Sequence, residues 1–96
     1  MDGRGRDEAT ALALGKNLVK ARRRAGLSQE KLATRCLLHR TEIGNIENGR
    51  RIPRVDTMIR IAGALEVKAD VLLSGIEWLP PPPADPPVGF VLQFPA

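Results

Sequence analysis

Residues 27–54 read LSQEKLATRCLLHRTEIGNIENGRRIPR and contain signals for both the starts and the ends of helices. Ser28 is typical of a helix N-cap, because its hydroxyl can accept a hydrogen bond from a free backbone N–H of the first turn. We predict one helix over residues 29 to about 36 and another over residues 40 to 48. Gly49 then suits the left-handed position that follows a helix. The stretch therefore predicts two short helices joined by a tight connection.

Three further helices are predicted on either side of this pair. The first begins at about Thr10 and ends at Gly26. Its buried face is predicted from apolar residues at helical spacing, namely Leu14, Leu18, Ala21 and Ala25. A fourth helix is predicted over residues 55–65 and a short fifth over residues 69–73. Residues 1–9 are glycine-rich and charged, so we expect a flexible lead-in. The predicted fold class is all-α, a compact five-helix domain over residues 10–75.

Residues 76–96 differ in kind from the rest of the chain. Four prolines at 80–83 and two more at 86–87 favour extended polyproline geometry and cannot continue a helix. The segment VGFVLQF at 88–94 has strand-like composition. We therefore expect this proline-rich extension to form a short strand or ribbon, either by folding back on residues 76–79 or by pairing with another copy.

Composition argues against several classes of protein. No apolar run reaches the roughly 18 residues of a membrane-spanning helix, and no basic start leads into an apolar segment, so neither a membrane protein nor a secreted one is indicated. A single cysteine cannot form an internal disulfide, which fits a reducing cytoplasm. Hydrophobic residues make up 43% of the chain but only three residues are aromatic, so we expect a mainly aliphatic core.

The charge distribution indicates a polyanionic partner. Between Lys16 and Arg60 there are twelve lysine or arginine residues and four acidic ones, a difference of +8, against a net charge of +4 for the whole chain. From Ile76 onward the chain has no basic residue. A basic block of this density attracts nucleic acid. A solvated basic surface would explain the charge alone equally well.

Two helices with so short a connection are typical of a helix-turn-helix, in which the second helix enters the major groove of DNA. We expect Ile43 and Ile46 to face the core, which leaves Arg40, Thr41 and Asn45 on the outer faces. Arginine can bind guanine, asparagine can bind adenine, and a threonine methyl group can contact thymine. Taken alone, the same three residues would also suit an ordinary exposed polar surface.

Residues on both sides of this helix favour the DNA-binding interpretation. Gln29 opens the preceding helix, where a side-chain amide and free backbone N–H groups can hold a phosphate. Arg50, Arg51 and Arg54 follow the reading helix and are placed to contact the DNA backbone. Double-stranded DNA is therefore the predicted partner, and no cofactor is expected.

Residues 15–73 resemble the XRE-type family of helix-turn-helix proteins, which includes Cro and phage repressors. The resemblance rests on the signatures LSQEKLA at 27–33 and IGNIENGRRIP at 43–53, and on IAGALEV at 61–67. It implies a five-helix DNA-binding domain that acts as a transcriptional regulator. It also implies a homodimer on a two-fold related operator.

The resemblance assigns roles to the matching positions. The implied base readers are Arg40, Thr41 and Asn45. The implied contacts to the DNA backbone are Gln29, Asn48, Arg50 and Arg51. A protonated His39 is added to this second group as a minor phosphate contact. In this family an arginine of the first helix often pairs with the glutamate of the IENG stretch. Arg22 and Glu47 are therefore expected to form a partly buried, structural ion pair.

Three positions depart from the family pattern. Leu37 stands where glycine is usual. We expect a slightly different turn there, shaped by apolar packing of Cys36, Leu37 and Leu38 rather than by backbone permissiveness. His39 and Arg54 stand where serine or threonine usually caps the third and fourth helices, so weaker caps are expected at both.

Other functions receive less support from the residues. Cys36 and His39 are three positions apart, but zinc needs about four ligands and the chain has no further cysteine or histidine. Catalysis is not indicated, because Ser28 has no base near it in the pattern and the carboxylates are scattered. The alternative that stays open is a protein-interaction module, such as an antitoxin or regulatory adaptor, that acts through residues 76–96.

Overall fold

The computed structural model describes residues 4–83, with side chains from Glu8 onward. It contains five α-helices, which are α1 Arg4–Arg24, α2 Gln29–Cys36, α3 Arg40–Glu47, α4 Val55–Leu65 and α5 Ala69–Leu72. No strand occurs within these residues. The prediction of an all-α, five-helix fold is therefore confirmed. Within the same residues, no helix combines the length and the apolar composition that crossing a bilayer requires.

Two predictions for α1 are wrong at its ends. The helix begins at Arg4 rather than near Thr10, because a nucleated helix extends at little cost and needs no apolar anchor in every turn. Residues 1–3 lie outside the described part. At the other end, Ala25 is exposed rather than buried, because the helix stops at Arg24 and Gly26 takes a left-handed conformation with φ of 73°.

The core is aliphatic, as predicted, and every helix contributes to it. The largest fully enclosed side chains come one from each of the first four helices, and they are Leu18, Leu32, Ile43 and Ile61. Leu72 adds a buried side chain from α5. Burial of one such side chain stabilises the fold by about 1.5–3 kcal/mol. The two buried isoleucines of α3, Ile43 and Ile46, therefore fix which face of that helix meets solvent.

Helices α1 and α3 approach each other with no side chain between them at Gly15. A β-carbon at this position would lie 2.5 Å from the carbonyl oxygens of both Ile46 and Glu47. A similar contact follows at Gly49, where φ is 74° and a β-carbon would lie 2.7 Å from Cδ2 of Leu12. The end of α3 is therefore held directly against the backbone of α1.

Helix α1 also ties down the end of the helical domain. The side-chain amide of Asn17 donates hydrogen bonds to the carbonyl oxygens of Leu72 and Ser74, both at 2.9 Å. Ile76 is half-buried and packs against the core, and residues 76–83 then follow an irregular path. The segment 76–79, onto which the strand-like residues were expected to fold back as one of two alternatives, is not in a strand. Its predicted partner at 88–94 lies outside the described residues.

Replacement of Gly15 by alanine tests the close approach of α1 and α3. We expect Gly15→Ala to lower the free energy of unfolding by about 1–3 kcal/mol, because backbone carbonyls cannot move aside as a side chain could. The measurement is urea unfolding followed by circular dichroism.

Gly63→Ala is the matched control for this experiment. Gly63 is an exposed residue inside α4, and a β-carbon there would meet nothing within 4 Å. We expect this change to stabilise the fold by about 0.5–1 kcal/mol, because alanine favours the helix. Equal effects of the two substitutions would contradict the proposed contact at Gly15.

Candidate nucleic-acid interface

A nearly enclosed ion pair joins α1 to the end of α3. Nε of Arg22 lies 2.5 Å from Oε2 of Glu47, and Nη2 of Arg22 lies 3.1 Å from Oε1. The remaining terminal nitrogen, Nη1, donates to the carbonyl oxygen of Leu27 at 2.8 Å. The two charged side chains are only 12% and 4% exposed. The fork geometry satisfies both charges inside the fold, which is the condition under which a buried pair is tolerated.

Gln29 extends this network to α2. Its side-chain nitrogen Nε2 donates to Oε1 of Glu47 at 2.8 Å. One of its two amide hydrogens is therefore committed inside the protein. The predicted phosphate contact must use the second hydrogen or the backbone N–H groups that begin α2, and it stays a prediction.

Ser28 caps α2 in the predicted manner. Its hydroxyl oxygen accepts a hydrogen bond from the backbone N–H of Lys31 at 3.0 Å. The remaining N–H groups of the first turn lie at the positive end of the helix dipole, close to Gln29. This end of α2 has the chemistry that a phosphate requires.

The connection between α2 and α3 contradicts the expectation for Leu37. Leu37 itself adopts the left-handed conformation, with φ of 59° and ψ of 42°, as glycine would. Its N–H donates to the carbonyl oxygen of Thr34, and the N–H of Leu38 donates to that of Ala33 at 2.9 Å. This pattern of two backbone hydrogen bonds is the Schellman motif. The Leu37 side chain is 82% exposed, so apolar packing does not shape the turn through it. Leu38 does pack against the core.

Arg60 of α4 stabilises this turn, a role that the sequence did not reveal. Its guanidinium donates two hydrogen bonds to the carbonyl oxygen of Cys36, at 3.1 and 2.7 Å, and one to that of Leu37 at 2.9 Å. These carbonyls lie at the negative end of the α2 dipole, where a cation is favourable. Arg60 therefore serves the protein fold, although it was counted with the basic block.

Glu42 stabilises the start of α3. His39 occupies the N-cap position, as predicted, and Oε1 of Glu42 accepts a hydrogen bond from its backbone N–H at 3.2 Å. A glutamate three positions after the N-cap is a recognised signal for this contact, so the sequence contained it. The carboxylate is consequently directed toward the helix start and away from the outer face.

The predicted readers lie on the solvent side of α3. Arg40 and Thr41 are exposed in its first turn, and Asn45 is half-buried one turn later. Because the opposite face is fixed in the core, these three side chains share the accessible surface of the helix. The structure thus places them together, whereas their contacts to bases stay a prediction.

The predicted backbone contacts surround this surface. Asn48 ends α3, and the backbone N–H of Arg50 donates to the carbonyl oxygen of Asn45 at 2.9 Å. The side chains of Asn48, Arg50 and Arg51 are exposed. Arg54 is exposed as well, but it forms an ion pair with Asp56 at 3.3 Å. That ion pair directs its charge toward the start of α4 rather than leaving it unpaired.

Cys36 and His39 occupy different environments. The Cys36 thiol is buried and donates to the carbonyl oxygen of Leu32 at 3.1 Å. Burial raises the pKa of this thiol, and the charge of Arg60 opposes that rise only in part. His39 is exposed. No group of three or more metal-binding side chains occurs in the described part of the chain.

Comparison with known proteins agrees with this geometry. The model of the helix-turn-helix family matches residues 18–72, which is more than half of the chain. The chain belongs to this helix-turn-helix family. The matched range includes α2 and α3 with the turn between them, so the XRE-type resemblance is confirmed.

Two helix-turn-helix relatives have informative names. The chain is 32% identical over 62 residues to the HTH-type transcriptional regulator ImmR of Bacillus subtilis (strain 168), covering 65% of this chain and 49% of ImmR. It is 46% identical over 50 residues to the control protein C.BamHI of Bacillus amyloliquefaciens, covering 52% and 62% respectively. The chain thus spans about half of one relative and about three fifths of the other.

A solved structure matches the fold more completely. The restriction-modification controller protein C.AhdI from Aeromonas hydrophila superposes with a TM-score of 0.67 at 30% sequence identity. The match covers 75% of this chain and 99% of that one. The fold is therefore shared with a restriction-modification controller protein of known structure.

Substitution of Arg22 or Glu47 tests the enclosed ion pair. We expect Arg22→Ala or Glu47→Ala to lower the free energy of unfolding by about 3–5 kcal/mol, because each change strands the other charge in the protein. The double substitution should cost less than the sum of the single ones. Thermal unfolding of all three variants measures this, and an unchanged melting temperature for Arg22→Ala would rule out the structural role.

Replacement of Leu37 by glycine tests the strain in the turn. We expect Leu37→Gly to stabilise the fold by about 0.5–1 kcal/mol, because glycine adopts positive φ without steric cost. Glu66 also has a positive φ, of 58°, so Glu66→Gly is expected to stabilise the fold as well. The urea midpoint of each variant is the measurement. The control is Leu38→Gly, which should destabilise, and stabilisation by that control would exclude backbone strain as the cause.

Proposed function

We propose that this protein is a transcriptional regulator that binds double-stranded DNA in a sequence-specific manner. The observation that carries the proposal is the outer face of α3, where Arg40, Thr41 and Asn45 lie together while Ile43 and Ile46 fix the inner face. A rigid helix with base-matching side chains on one face is the requirement for direct readout. The names of ImmR and C.BamHI support the same function.

Each reader has a distinct task in this proposal. Arg40 donates two hydrogen bonds to a guanine, and Asn45 forms a bidentate pair with an adenine. Thr41 offers its methyl group to a thymine or its hydroxyl to another base edge. Each bidentate pair discriminates against a wrong base by about 1–3 kcal/mol. The three residues would therefore read a short stretch of the major groove.

Phosphate contacts would hold this helix in register. The proposed set consists of residues that flank α3 or begin α2, namely Gln29, His39, Asn48, Arg50 and Arg51. Such contacts carry little sequence information, but they supply much of the affinity and make it dependent on salt. The free N–H groups at the start of α2 add to this set.

Assembly and location belong to the same proposal. A homodimer on a two-fold related operator would place two α3 helices in successive major grooves, about 34–36 Å apart. We propose that the protein acts in the cytoplasm, without catalysis and without a cofactor. The residues from 76 onward are the proposed candidate for supporting the dimer.

One observation favours the alternative of a protein partner. Trp78 and Leu79 are large apolar residues, and both are exposed at the start of the proline-rich segment. A partner bound there would explain the exposure of Leu79, which DNA binding does not use. Ile76 packs against the core, so a truncation that tests this alternative should begin at Glu77.

Selection of bound sites from random DNA, followed by variant binding, tests the main proposal. We expect Arg40→Ala and Asn45→Ala to relax preference at one position each, by about 1–3 kcal/mol. Arg50→Ala and Arg51→Ala should weaken binding to all sequences alike and reduce the salt dependence. If all four variants act equally on every sequence, direct readout by α3 is excluded. If the regulatory effect of the protein is lost on truncation at Glu77 but not in the four variants, the alternative of a protein-interaction module is favoured.

A further inference from the structure

The second half of α1 carries more positive charge than its fold requires. The segment KNLVKARRR at 16–24 contains five basic residues and no acidic one. Arg22 is used in the ion pair with Glu47. The other four are exposed, and they are Lys16, Lys20, Arg23 and Arg24. Neither of the two ion pairs in the described part of the chain includes any of these four.

The spacing of these charges works against the helix itself. Lys20 lies four residues from Lys16, three from Arg23 and four from Arg24, so like charges are neighbours on the surface. Each such pair destabilises a helix by about 0.2–0.5 kcal/mol. The helix dipole favours cations only in the last turn, which leaves the charge of Lys16 without that compensation. An external anion would remove the repulsion.

Three of these four cations, all except Arg24, line a shallow groove. A groove of about 400 Å³ runs along α1, and its lining consists of Lys16, Val19, Lys20, Arg23 and Glu47. Glu47 is neutralised by Arg22, so the remaining charge of the groove is positive. Val19 adds an apolar surface beside the cations, on which the aliphatic part of a lysine side chain can lie.

The groove lies beside the start of α2. Glu47, which lines it, accepts the hydrogen bond from Gln29, the first residue of α2. Gln29 belongs to the proposed set of phosphate contacts, so the cations of α1 lie next to part of that set.

We propose that this groove binds the phosphate backbone of DNA outside the bases that α3 reads. The inference rests on the proposed function and extends its footprint into flanking DNA. Lys16 and Arg23 are seven residues apart, or about 10 Å along the helix axis. Phosphates of one strand follow each other about every 3.4 Å along the DNA axis, so three side chains spread over this length can each reach a different phosphate. Because these are phosphate contacts, they add affinity and salt dependence without base preference.

The test is the salt dependence of DNA affinity for a pair of substitutions that removes two positive charges from the groove. The variant is Lys20→Gln with Arg23→Gln, measured on a selected operator with and without about ten flanking base pairs. On the flanked duplex the slope of log affinity against log salt should fall by about 1.8, because each lost phosphate contact contributes about 0.9. On the trimmed duplex the variant and the wild type should agree, and the order of base preference should not change.

Two further variants serve as controls. Arg35→Gln with Lys68→Gln removes the same charge from exposed positions outside the groove, and it should leave most of the slope intact. Lys20→Arg with Arg23→Lys keeps the charge and should restore the wild-type slope. Circular dichroism melting verifies that each variant folds.

The outcomes separate this inference from the proposed function. Failure of the wild type to select any sequence would refute the function itself. Sequence-specific binding with an unchanged slope in the groove variant would overturn only the inference. Equal losses for the groove variant and the Arg35 and Lys68 control would overturn it too, since the effect would then be net charge alone. The groove variant could also keep the wild-type salt slope for DNA and bind a poly-glutamate peptide more weakly than the wild type does. That result would overturn the inference and indicate that the groove binds an acidic protein.

Discussion

Arg22 and Glu47 meet where three helices come together. The carboxylate belongs to the last residue of α3, the guanidinium to α1, and the amide of Gln29 brings in the start of α2. The position of α3 therefore depends on a charge that must remain satisfied, because an isolated charge at this depth is costly. Aliphatic packing around Ile43 and Ile46 determines which side of α3 is buried. Such packing does not by itself fix the orientation of the helix axis. The hydrogen-bonded fork adds the direction that packing lacks.

A second constraint acts at the opposite end of α3. Leu37 holds the left-handed position of a Schellman motif. The guanidinium of Arg60 donates hydrogen bonds to the carbonyl oxygens of Cys36 and of Leu37 itself. The usual glycine is thus absent while the geometry that glycine allows is retained. The cost of this conformation, of the order of 1–2 kcal/mol, is offset by backbone and guanidinium hydrogen bonds rather than by burial of the leucine. Both ends of α3 are consequently fixed by atoms other than its own exposed side chains.

Local signals in the sequence predicted much of this arrangement. Ser28, Gly26 and Gly49 mark helix ends through capping chemistry that acts within a few residues, and the apolar spacing predicted the core. The Arg22–Glu47 pair was expected from family resemblance rather than from spacing.

The contact of Arg60 with Cys36 could not be predicted, because it depends on how α4 packs against α2. Leu37 was misjudged because side-chain preference was given more weight than backbone hydrogen bonding. The start of α1 was missed because helix extension needs no apolar residue.

The contact at Gly15 has a mechanical consequence. With carbonyl oxygens of α3 lying where a β-carbon would be, no compressible side chain separates the two backbones. Movement of α3 toward α1 at this point is therefore opposed by direct contact between the two backbones. In the proposed complex with DNA, an α3 helix held in this way would adapt poorly to major grooves of differing width. Any adjustment of shape would then fall to the DNA, and sequences that bend easily would be favoured even at base pairs that no side chain touches.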